Sequence, residues 1–352
     1  MASNEIVHRK VGDILLKKRP GARVLKATAS DRYVIAEKRG SHTFLNPARP
    51  YLGRVEMPRS DDSSDKVRFD FPDLAQLRNE GLTAVDMHFH TDHSDGRVRV
   101  HQVLAKARRA GFGLAVTDHN VISGSLHAFQ ERGDLLIVPG MEVSAFDGPH
   151  ILTYFYSPGD MEDFFRRHIE PNRQGSPWLA IKLGTREIID RADSYSCVTI
   201  ASHPYGYLLF NKGLQKCIAG KYLPPEIMKR LDGLEVICGS MTHSLNVKAV
   251  KLAEERNMPF TGGTDGHMLS DVGGVVTCAP EDTLEGFLDA VESRRNVVVG
   301  YEKGTLEKIA TGIVAMTKHS RYFLPAMAIN YQQNAPRVKH YIRRSREKDK
   351  PN

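Results

Sequence analysis

Residues 83–96 read TAVDMHFHTDHSDG, and this stretch decides how the rest of the chain is parsed. Its first half is a short, almost wholly apolar run, and its second half holds the turn-forming residues Asp92, Ser94, Asp95 and Gly96. The pattern predicts a buried strand that ends in a polar loop. Side chains two apart in a strand share a face, so His88 and His90 point the same way from the strand's carboxyl end.

The motif repeats in outline along the chain. Apolar runs at 114–117, 135–138, 198–202 and 259–263 are followed by Asp118-His119, Glu142, His203, and Asp265 with His267. Runs at 150–156 and 234–238 complete seven candidate strands, and His150 opens its run instead of closing it. Between the first two strands, Val100, Val103, Leu104 and Ala107 form a helical stripe that Gly111 can cap; Leu245, Ala249, Leu252 and Ala253 form another. Alternating strands and helices predict the α/β class with a parallel sheet, and seven repeats suggest closure into a barrel. In such barrels the reactive groups sit at the carboxyl ends of the strands.

Six histidines (His88, His90, His119, His150, His203, His267), two aspartates (Asp95, Asp265) and Glu142 share this placement, except that His150 opens its strand. One such histidine would be unremarkable. Nine imidazoles and carboxylates converging on one mouth exceed what a single ion can use, and they would be costly to bury without cations. The donor types suit manganese, zinc or iron.

The flanks read differently. Residues 1–70 hold short alternating runs broken by Pro20-Gly21 and Arg39-Gly40, which predicts a small β-rich extension ending in the polar linker Pro58–Lys66. Residues 301–352 read as a helical extension with a basic tail, and the formal net charge of +7 favours an anionic partner. The four cysteines contain no C-x-x-C pair, which favours reduced thiols in a cytoplasmic protein. No secretory leader is read in the polar start MASNEIVHRKVGD, and no membrane span is expected.

The motifs H-x-H-T-x-x-S-D-G at 88–96, T-D-H-N at 117–120, P-G-x-E at 139–142, S-H-P at 202–204, and T-D-x-H at 264–267 followed by Asp271-Val272-Gly273 occur in this order. In these residues the chain resembles the PHP (polymerase and histidinol phosphatase) family of metal-dependent phosphoesterases, over about residues 83–300. The resemblance implies a distorted (β/α)7 barrel and two or three divalent ions. It implies one ion on His88, His90, Glu142 and Asp265, a second on Asp95, His119 and His203, and a third on Glu142, His150 and His267, with a metal-bound water held by Glu142, His203 and Asp265. Some relatives carry a histidine where Asp95 stands, and many nucleotide-directed ones carry the aspartate. Cys238-Gly239-Ser240 stands where an asparagine is expected.

The implied activity is hydrolysis of phosphate esters on nucleotides or nucleic-acid ends, of the 3',5'-bisphosphate nucleotidase or 5'-to-3' exonuclease type. A small-metabolite phosphatase of the histidinol-phosphate type and a non-catalytic nucleic-acid-binding module are the alternatives. Arg97, Arg99, Lys182 and Arg186 are candidate phosphate contacts, and Trp178 is a residue that could stack on a base or pack an insertion.

Overall fold

The computed structural model describes residues 66–175, 179–206, 213–304, 308 and 322–348, together with five short strands nearer the N-terminus. Trp178 and most of the linker lie outside the described residues. The chain divides into two compact units, Met1–Asp61 and Asp62–Asn352. In the first, β1 (Arg9–Val11) pairs with β2 (Ile14–Leu16), and β3 (Arg23–Val24), β4 (Val34–Arg39) and β5 (His42–Pro47) form an antiparallel sheet.

The second unit is an α/β fold built on two mixed five-stranded sheets. One holds β6 (Val67–Phe69), β7 (Thr83–Phe89), β8 (Gly113–Val116), β14 (Val275–Ala279) and β15 (Val297–Gly300), in the order β6-β15-β14-β7-β8. The other runs β13-β12-β11-β10-β9, with β9 (Gly140–Ser144), β10 (His150–Phe155), β11 (Cys197–Ala201), β12 (Gly233–Cys238) and β13 (Phe260–Gly263). Amphipathic helices cover them. In α2 (Val100–Ala110), which follows the short α1 (Leu74–Asn79), the predicted stripe Val100, Val103, Leu104 and Ala107 is buried. Gly111 ends α2 in the left-handed conformation, at φ 73°, and donates its N–H to Ala107 O, as a helix C-cap requires.

Two features depart from the parallel, closed barrel predicted from sequence. First, β10 runs antiparallel to both β9 and β11. Only five residues join β9 to β10, and a parallel crossover needs a dozen or more, so the chain turns back as a hairpin with Gly148 at φ 116°. Second, the ladders do not close. One edge of β7 is occupied by β14 and the other by β8, so β13 meets β7 only beyond its own end, through the Phe89–Gly266 bridge. The two sheets join at their other border through the Leu114–Ile137 and His119–Glu142 bridges.

The approach of β13 to β7 requires glycine. A Cβ on Gly263 would lie 2.4 Å from the His88 nitrogen and from its Cβ. The seam is then fastened by Asp86, a fully buried carboxylate inside β7. It accepts hydrogen bonds from Thr264 Oγ1 (2.8 Å), Thr264 N (3.0 Å), Gly273 N (3.0 Å) and His88 N (3.3 Å).

The helix α9 at the C-terminal end (Phe323–Lys348) follows the expected helical extension; α3 (Ser123–Gln130), α4 (Pro158–Phe164), α5 (Thr185–Ala192), α6 (Leu214–Ala219), α7 (His243–Glu255) and α8 (Leu284–Glu292) precede it. Among the described residues, no helix is long and apolar enough to cross a membrane. Cys197, Cys217, Cys238 and Cys278 are all free thiols, and all but Cys197 are buried.

Replacing Asp86 by alanine strands several buried donors at once. Asp86→Ala is expected to lower unfolding stability by about 2–4 kcal/mol, read as a shift of the urea midpoint with an unchanged slope. A midpoint equal to wild type would show that the seam does not depend on this carboxylate.

Candidate metal centre

Strand ends, the loops beyond them and the interior of β9 bring all nine predicted ligand residues into one largely buried cluster. His88 and His90 leave the end of β7, Asp95 lies in the loop after it, and His119 follows β8. Glu142 lies inside β9, and in the β9–β10 register His150 stands opposite Ser144. The hairpin therefore returns His150 to the same end and the same sheet face as Glu142, which is why this ligand opens its strand. His203 follows β11, and Asp265 and His267 follow β13. His203 and Asp265 hold positive φ values of 29° and 45°, a costly backbone for non-glycine residues that surrounding contacts must maintain.

Among the described residues, four groups have donor atoms close enough to share an ion: His88, His90 and Asp265; His90, His119 and Glu142; His90, Asp95 and His267; and Glu142, His150 and His203. Glu142 is 0% exposed and central. Its Oε1 lies 3.2 Å from both His150 Nδ1 and His203 Nε2, and its Oε2 lies 2.9 Å from His119 Nδ1, 3.4 Å from His90 Nε2 and 3.5 Å from His88 Nε2. On the other side His267 Nε2 lies 3.1 Å from Asp95 Oδ2, and His119 Nε2 lies 3.6 Å from the same oxygen. This grouping differs from the one the resemblance implied. His203 joins Glu142 and His150, and His267 joins Asp95, because the loop after β11 faces the β9–β10 hairpin while the turn after β13 faces the loop after β7.

The donor set fits cations. His90 Nδ1 and Glu142 Oε2 are buried without a hydrogen bond. His88 Nε2 faces His90 Nε2 at 3.1 Å, with Asp265 Oδ1 3.6 Å from the first and 3.2 Å from the second. Lone pairs crowded in this way are unfavourable until positive charge sits among them.

Surrounding groups fix the orientation of the donors. Glu235, buried in β12, holds His88 Nδ1 at 2.8 Å and accepts from His203 N at 2.7 Å. A proton on Nδ1 leaves Nε2 as the lone-pair donor. Ser202 Oγ donates to Glu142 Oε1 at 2.7 Å. Asp118 accepts from Thr91 N, Thr91 Oγ1 and Ser94 Oγ, which tightens the loop carrying Asp95. Asp86, Asp118 and Glu235 were absent from the predicted site. Asp86 and Glu235 have a signal in the sequence, a lone carboxylate inside an otherwise apolar strand run.

Electrostatics follow the same crowding. Burial alone would raise the carboxyl of Glu142, but the imidazoles of His150, His119 and His88 hold it well below the usual range. Asp95 and Asp265 are depressed in the same way, against their burial, mainly by His267 and His119 for the first and by His88 and His90 for the second. Burial pulls His119 down, yet Glu142 and Asp95 outweigh it and push the ring up to about 9. Burial dominates at His150, which falls to about 4.

The predicted phosphate contacts do not join the cluster. Arg97 and Arg99 are exposed; the Arg97 backbone N–H donates to His267 O at 3.0 Å, and the Arg99 backbone N–H donates to Gln102 Oε1 in α2 at 3.1 Å. Lys182 is exposed, and Arg186 lies 3.9 Å from Asp190 on the next turn of α5.

No curated protein matches the sequence. Among solved structures, Endonuclease Q in complex with a 27-mer duplex substrate bearing an abasic lesion matches with a TM-score of 0.50 and 12% identity, over 63% of this chain and 60% of that one. The lesion-specific endonuclease of Pyrococcus furiosus matches with a TM-score of 0.49 and 14% identity, over 62% and 57%. A two-domain protein of Bacteroides vulgatus containing a predicted PHP-like metal-dependent phosphoesterase matches with a TM-score of 0.46 and 17% identity, over 71% and 73%. Residues 86–232 match the family model of the PHP domain and residues 243–296 that of the PHP-associated region, together more than half of the sequence, so the chain belongs to the PHP family of metal-dependent phosphoesterases.

Proposed function

We propose that the chain hydrolyses phosphate esters of nucleotides or nucleic-acid ends, using two or three manganese, zinc or iron ions held by His88, His90, Asp95, His119, Glu142, His150, His203, Asp265 and His267. In this reading residues 83–300 form the phosphoesterase unit, flanked by extensions at 1–70 and 301–352. One observation carries the reading: among the described residues four groups of imidazole and carboxylate share members, all but His150 buried, and Glu142 reaches two of them through different oxygens. Bound there, divalent ions supply hydroxide at neutral pH and positive charge for phosphoryl oxygens and the departing alkoxide.

The protein's own residues prepare that chemistry. Glu142 remains ionised in a site with almost no solvent access, and Ser202 and the surrounding rings fix its rotamer. Glu235 selects the His88 tautomer. Asp118 and Asp86 lock the two loops that carry Asp95 and Asp265, so the donors are placed before an ion arrives. A nucleotide or polynucleotide substrate is supported by Asp95, the residue found in many nucleotide-directed relatives, and by the net charge of +7. The shared fold of Endonuclease Q, which is complexed with a duplex, points the same way.

Protons compete with cations for these nitrogens. His119, pushed up to about 9, holds a proton at neutral pH in the ion-free protein, and that proton must leave before the nitrogen can bind a metal. Manganese affinity should therefore rise between about pH 6 and 9, with protons released on binding. Titration calorimetry in buffers of different ionisation enthalpy reads both quantities, and a pH-independent affinity would contradict this order of events.

Activity is tested on adenosine 3',5'-bisphosphate, short single-stranded RNA and DNA, and histidinol phosphate, with manganese-loaded protein. Turnover is expected on the nucleotide or oligonucleotide substrates. Glu142→Gln is expected to lose bound metal and to cut turnover by roughly 100-fold or more. Turnover that survives this substitution would sink the mechanism, and turnover confined to histidinol phosphate would replace the substrate class.

A further inference from the structure

Lys303, just after β15, is 9% exposed, which is unusual for a lysine. Its ammonium lies 2.9 Å from Asp271 Oδ2, 3.3 Å from Ser240 Oγ and 3.4 Å from the backbone oxygen of Asp265. These three acceptors match the three donors of an ammonium group, so its hydrogen bonding is spent inside the protein. Asp271 Oδ2 in turn accepts from His267 N at 3.0 Å and Met268 N at 3.1 Å. The lysine therefore grips both ends of the turn that carries Asp265 and His267.

We propose that Lys303 is a positioning residue for the metal centre, holding the Asp265–Asp271 turn in the shape that aims Asp265 at His88 and His90 and His267 at Asp95. The need for such a hold is visible in the backbone. Asp265 sits at φ 45°, which a non-glycine residue keeps only when its surroundings enforce it. Ser240 Oγ also donates to the Asp265 oxygen, at 2.9 Å, so that oxygen is held from two sides. Lys303 is itself anchored, because its backbone N–H donates to Gly239 O at 2.8 Å.

This arrangement gives a role to Cys238-Gly239-Ser240, the segment that departs from the resemblance. A Cβ on Gly239 would lie 2.8 Å from Thr264 O, so a larger residue would push the β12 end away from the turn. Ser240 supplies the hydroxyl that bridges lysine and turn. The Asp271 side chain is only 8% exposed, and without the ammonium it would stand in that wall as a carboxylate with no cation beside it.

The inference rests on reading the cluster as a metal centre, and the test separates the two. Manganese stoichiometry and affinity are measured by calorimetry on wild type, Lys303→Met, Lys303→Arg and Asp271→Asn, with circular dichroism to establish folding and steady-state kinetics on the best phosphate ester. Lys303→Met and Asp271→Asn are expected to lose one bound ion or at least about tenfold in affinity, with lower kcat and unchanged KM, and Lys303→Arg to recover part of the loss. Wild type that binds no manganese would remove the metal reading itself. Wild type that binds, beside a folded Lys303→Met or Asp271→Asn with equal stoichiometry and affinity, would overturn only the positioning role. A raised KM with unchanged metal binding would overturn it too, by assigning Lys303 to the substrate.

Discussion

The structure turns on a buried carboxylate surrounded by imidazoles. Glu142 has no solvent exposure, and its two oxygens face rings from the ends of three strands and from the start of a fourth. Such a group is expensive to remove from water unless charge of the opposite sign compensates it. Protons on the rings can do so in part, as the raised His88 and His119 show, but they leave His90 Nδ1 and Glu142 Oε2 without hydrogen bonds. Cations held by these residues would offset the carboxylate charge and the ring lone pairs together, which protons do only in part.

Holding that cage open costs stability elsewhere, and a set of acidic anchors supplies it. Asp86 joins β7 to the turn after β13, Asp118 closes the loop after β7, Glu235 ties β12 to His88 and His203, and Asp271 binds the amides of His267 and Met268. Each of these carboxylates accepts several hydrogen bonds, from backbone N–H, ring N–H or hydroxyl groups. The donors that face the cluster are thereby oriented by partners that face away from it, which is how a site keeps its geometry without relaxing toward its own centre.

Much of this was legible in the sequence, and the limits have physical causes. Strand ends and their donors follow from apolar runs that stop at turn residues, so the nine cluster members could be named from residues 88–267 alone. The α2 stripe and its Gly111 cap were equally plain. The direction of β10 was not. Only the five-residue link before it carries that information, and strand direction leaves no mark on side-chain alternation. Closure was also unreadable, because it depends on β14 taking the free edge of β7, a pairing nearly 200 residues away in sequence.

The same division holds inside the site. The sequence by itself determined which donor types exist and that most of them lie at or just beyond strand ends, since these follow from residue identity and local periodicity. Tertiary structure decided which donors come within reach of one another. His203 falls beside Glu142 and His150, and His267 beside Asp95, because loops from distant strands face one another only after the sheets have twisted and met. It also decided that Lys303, far along the chain, would come to rest under Asp265, since contact between buried charges is set by packing in three dimensions and leaves no periodic trace in the chain.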